Sequence, residues 1–137
     1  MYQTDNETDL LMPIRVNAFE HQKRAFAFVL DLFQVLTGKP PTSRGAALLL
    51  EMGCGKSLVA LAVAGCMYQL GIISRVLIVA PLSVLSVWEE EFGKFAAFPY
   101  SLTVLSGSME KKRQQLKDIP DRGLQVAVVN YESAWRM

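Results

Sequence analysis

The stretch Leu50-Glu51-Met52-Gly53-Cys54-Gly55-Lys56-Ser57 decides how this chain of 137 residues is read. Its end has the form of a phosphate-binding loop, where backbone N–H groups and a helix N-terminus converge on a negative charge. Gly53 and Gly55 permit a tight turn and close backbone approach. Lys56 has the reach for outer phosphates, and the Ser57 hydroxyl suits Mg²⁺. The general rule G-x-x-x-x-G-K-[ST] asks for glycine where this chain carries Leu50. That first glycine only begins the turn, and other geometries enter the same nest.

The flanks supply the context that such a loop requires. "AALLLE" at 46–51 is a short apolar run, expected to form a strand buried on both faces. A helical pattern follows at 56–70, stopped by Gly71. Upstream, 19–36 repeats apolar residues at three- and four-residue spacing and predicts a helix, ended by Gly38, Pro40 and Pro41.

Downstream, "RVLIVAP" (75–81) reads as a second buried strand. "SVLSVWEEEFGKF" (83–95) reads as a helix with Val84, Leu85, Trp88 and Phe92 on one side. A third strand is expected at 101–107, a polar helix at 108–118, and at 124–133 a fourth strand ending in a short turn. Strands alternating with helices predict an α/β fold with a mainly parallel sheet covered by helices on both faces. A doubly wound sheet has five or six strands and this pattern supplies four. The sheet is therefore expected to be incomplete at the C-terminus, and the chain a piece of something larger.

Composition narrows the class. Half the residues are apolar (51%) and a fifth charged (20%), which fits one globular domain. A formal charge of +1 gives no bulk attraction to nucleic acid, though it leaves room for a local basic patch. Residues 1–12 carry Asp5, Glu7 and Asp9 and are expected to form a flexible acidic tail, leaving 13–137 as the domain. Cys54 and Cys66 are too few for a disulfide or metal framework and fit a reducing compartment. No signal segment opens the chain and no apolar run approaches twenty residues, so no membrane is expected as partner. The expected location is the cytoplasm, or the nucleus in a eukaryote.

With these elements in place, "LLLEMGCGKSLVALAVA" resembles motif I of the Swi/Snf-type ATPases, a branch of the superfamily 2 helicases. Their form D-E-M-G-x-G-K-[ST] also lacks the leading glycine. Glu51, Met52, Gly53, Gly55, Lys56 and Ser57 match it, while Leu50 replaces an acidic residue and Cys54 a leucine. "FEHQKRAFAFV" resembles the upstream glutamine motif, "VLIVAPLSVLSVWEEEFGKF" motif Ia, and "VAVVNYES" the next motif, which usually ends in T-Y-E. The resemblance runs from about 15 to 135.

It implies a three-layer RecA-like P-loop NTPase lobe, truncated before the D-E-x-H motif. It also implies ATP and Mg²⁺ as cofactors, held by Met52, Gly53, Cys54, Gly55, Lys56 and Ser57, with Gln22 reading the adenine edge. Lys56 and Ser57 would be the catalytic residues on this side, Ser57 through Mg²⁺. Pro81, Ser83 and Tyr131 would lie on the DNA-facing side. The implied partners are double-stranded DNA and a second RecA-like lobe, which in the family supplies an arginine.

Each residue has a plainer reading. Gln22 on composition alone is an exposed helix-start glutamine, and Ser83 a helix cap. Trp88 shares its face with Leu85 and Phe92 and reads as core rather than a base-stacking ring. Lys111, Lys112 and Arg113 read first as a solvated face, and Glu89, Glu90 and Glu91 as solvent surface. His21, the single histidine, excludes a histidine-based metal site.

The functional expectation is the ATP-binding portion of a DNA-dependent ATPase or translocase, binding ATP weakly and turning it over negligibly as an isolated piece. Three alternatives stay open: a small P-loop kinase, a non-catalytic nucleotide- or DNA-binding module, and an inert scaffold. A sheet without its last strands also leaves an unpaired edge, through which two chains are expected to be able to associate.

Overall fold

The computed structural model of the protein describes residues 12–41, 45–47 and 56–134. Among the described residues, apolar continuity in the sequence becomes a three-stranded parallel sheet in the order β1-β3-β2. Its strands are β1 (Arg75–Ala80), β2 (Tyr100–Val104) and β3 (Leu124–Asn130). The register aligns Arg75 with Gln125 through to Ala80 with Asn130, and Tyr100 with Leu124 through to Val104 with Val128. β3 is central, and its Leu124, Val126, Val128 and Val129 are fully buried.

The helices are α1 (Glu20–Leu32), α2 (Lys56–Gln69), α3 (Leu85–Phe95), α4 (Met109–Asp118) and the short α5 (Tyr131–Ala134). Together with the sheet they make the expected α/β architecture of a RecA-like P-loop NTPase lobe, with helices on both faces of a parallel sheet. One cluster joins α1 to α2 through Phe26, Val29 and Leu30 against Val59, Ala62, Val63 and Cys66. A second sets Leu61 of α2 and Leu85 and Phe92 of α3 against Leu124, Val126 and Val128. On the opposite face Ile119 and Leu105 pack with Ala127 and Val129, and Ala134 of α5 lies against them. Helix α2 therefore lies between α1 and the sheet, which accounts for its all-round apolar sequence.

Two close approaches fix the packing. A Cβ at Gly65 would come within 2.8 Å of Pro13 Cγ and would also meet the Phe98 ring. Gly123 adopts φ +70 and sits against Pro99, whose carbonyl accepts the N–H of Leu124 at 2.9 Å.

Several expectations change. The first helix ends at Leu32 rather than 36, because Gln34 takes φ 51 and the chain turns. Strand β1, read as buried, leaves Leu77 56% and Val79 47% exposed among the described residues, where it pairs with β3 alone. The strand expected at 101–107 stops at Val104. The strand at 124–133 does end in a short turn as expected, running Leu124–Asn130 and passing at Tyr131 into α5. Of the strand expected at 46–51, residues 46 and 47 belong to no regular element and 48–51 lie outside the described residues. Of the expected tail, 1–11 lie outside them as well, while Met12 is buried in the α1–α2 cluster. No helix among the described residues is long and apolar enough to cross a membrane.

Candidate functional site

Lys56 is the first residue of α2 and is exposed; Ser57 follows it and is half-buried. The N-terminal turn of an α-helix has unpaired N–H groups and the positive end of the dipole, so a cation and a hydroxyl there extend an anion-holding end. The remaining predicted loop residues, Met52, Gly53, Cys54 and Gly55, lie outside the described residues. Among the described residues no cluster of three or more His, Cys, Asp or Glu could hold a metal. Of the side chains at this helix start, the Ser57 hydroxyl is the one that would suit a hard cation held chiefly by phosphate oxygens.

The path of the chain sets what lies near this helix start. Only residues 70–74 separate the end of α2 from the start of β1. The strand therefore begins where the helix ends and returns toward the end bearing Lys56. The C-terminal ends of all three parallel strands share that side of the sheet, where open α/β sheets take their ligands.

Pro81 and Tyr131 directly follow the paired residues Ala80 and Asn130, so the register places both just past the ends of neighbouring strands. Pro81, Leu82 and Ser83 are exposed, Leu82 to 73%, and Tyr131 is 56% exposed. Ser83 is not the expected helix cap. It lies inside a 3₁₀ turn, Leu82–Val84, and the cap position of α3 falls to Val84, with no side-chain bond. Its hydroxyl is on the surface of the edge instead.

Gln22 is buried rather than exposed, at 5%. Its Oε1 accepts the backbone N–H of Phe19 at 2.8 Å, and its own N–H donates to the Phe19 carbonyl at 3.0 Å. The exposed Phe19 ring stacks on His21, centroids 5.9 Å apart and 15° from parallel. Phe33 and Val35, just past α1, and Met67 and Ile72, at the end of α2, line one pocket. The two helices thus run the same way, and their starts, bearing Gln22 and Lys56, lie at the opposite end of the pair.

Trp88 packs against the sheet cluster as expected, and Glu89 and Glu90 are exposed. Lys112 departs from the solvated reading: it is 7% exposed, while Lys111 and Arg113 are exposed. Ser108 caps α4, its side chain accepting from Lys111 N at 3.2 Å, and a serine just before a polar helix is the sequence signal for such a cap. Phe19 and Leu82 carried no signal beyond being apolar, since exposure depends on the packed fold. Burial pushes the Cys66 thiol pKa up.

The sequence profile of the SNF2-related domain matches residues 21–136. The chain belongs to that family. Within it, the chain is 27% identical over 114 residues to the mouse DNA excision repair protein ERCC-6-like, covering 83% of this chain and 9% of that protein. It is 28% identical over 104 residues to the human protein of the same name, covering 76% and 8%. The SWI2/SNF2 ATPase core of Sulfolobus solfataricus, solved in complex with dsDNA, is similar over 99% of this chain and 25% of that one, with 25% identity and a TM-score of 0.70. The chain spans about a tenth of the curated relatives' length and a quarter of the solved SNF2 core.

Proposed function

We propose that this SNF2-family chain is the ATP-binding portion of a DNA-dependent ATPase that moves on duplex DNA. The observation that carries the reading is the start of α2 at Lys56-Ser57, on the side of the sheet where Pro81, Ser83 and Tyr131 emerge. Lys56 binds the outer phosphates as a cation at the helix end, and Ser57 contributes its hydroxyl to Mg²⁺. Mg²⁺ held there by Ser57 would supply neutralisation of charge on the phosphates.

Pro81, Ser83 and Tyr131 meet the DNA backbone, a contact that orients the duplex without reading sequence. The solved relative's complex with dsDNA supports duplex DNA as the partner. Gln22 reads adenine from the start of α1.

Hydrolysis needs a positioned water, a second carboxylate for Mg²⁺ and a cationic group at the transition state. The 137 residues contain no D-E-x-H. The chain alone is therefore expected to bind ATP weakly, with negligible turnover, and to depend on a second lobe for hydrolysis. Thermal shifts by ATP, with Mg²⁺ and with EDTA, test the reading on wild type and Ser57→Ala. Mg²⁺ should add to stabilisation in wild type and not in the variant. An equal Mg²⁺ increment in both removes Ser57 from the site.

A further inference from the structure

We draw no further inference here: the strongest candidate, the apolar cavity of about 500 Å³ between the C-terminal ends of α1 and α2, lined by Phe33, Val35, Met67 and Ile72, carries nothing because nothing in the structure shows what covers it.

Discussion

The side-chain carbonyl of Gln22 accepts the backbone N–H of Phe19 at 2.8 Å, and the residue making that bond is 5% exposed. The glutamine that the family resemblance assigns to adenine is therefore also a brace at the start of α1. It ties down an N–H that precedes the helix and would otherwise lack an intrahelical acceptor. Replacing it with alanine leaves that donor unpaired in a part-buried place. Gln22→Ala is expected to lower stability by about 1–2 kcal/mol. It should also erase any preference for ATP over GTP. Denaturant titration reads the first effect and paired nucleotide titrations the second. A preference that survives intact would confine Gln22 to the brace.

Gly123 and Gly38 share a left-handed backbone, φ +70 and φ +69, but not their surroundings. A Cβ on Gly123 would run into the Pro99 backbone, which is tied by hydrogen bond to Leu124; a Cβ on Gly38 would meet nothing within 4 Å. Gly38→Ala should cost about 1 kcal/mol, the penalty of the conformation alone. Gly123→Ala should cost more than about 3 kcal/mol, because backbone must move as well. Denaturation midpoints of the two variants check the difference; similar losses would mean that the Pro99 contact yields easily.

Cys66 is buried in the α1–α2 cluster, and burial raises its pKa from the ordinary 9.0. The sign follows from linkage. Well below pH 9.0 the thiol is protonated in both folded and unfolded chains, and its contribution does not change with pH. As pH rises further the unfolded thiol ionises first, so the stability given by a neutral buried thiol is lost through the folded pKa. Wild type should lose stability in that alkaline range relative to Cys66→Ala, whose curve lacks this component. Parallel curves for the two would remove Cys66 from the alkaline loss.

Tyr131 is 56% exposed where β3 ends, beside the end of β1. Its truncation to alanine should change stability by no more than about 0.5 kcal/mol. Duplex DNA binding should weaken about equally across sequences, as expected of a backbone contact. Fluorescence anisotropy with two unrelated duplexes measures this. Unchanged affinity would take Tyr131 off the DNA-facing edge.

Much of the fold is legible because the strands are apolar runs broken at Pro81 and by polar helices. What the runs do not carry is position in the sheet. Leu77 and Val79 look as buried in sequence as Val126 and Val128, and only the order of the described strands sets β1 beside one partner and β3 between two. The end of α1 is hidden for a local reason, since Gln34 takes a positive φ that its residue type does not announce. At the site, Lys56 and Ser57 are legible from the motif and its helix. The placing of Pro81 and Tyr131 just past neighbouring strand ends is not, because it depends on a register set by pairing fifty residues apart. Gln22 shows the same limit: its spacing names a motif, while its bond to Phe19 appears only once the helix start is built.

The central claim is that nucleotide is held at the start of α2, and calorimetric titration of Mg-ATP into wild type and Lys56→Ala tests it most directly. Lys56 is exposed at a helix end, so its truncation should leave the fold intact. Loss of a cation at the outer phosphates should weaken binding by about tenfold or more. Measurable wild-type binding that Lys56→Ala abolishes or weakens to that extent is the predicted result; equal affinity in the two chains would contradict the account.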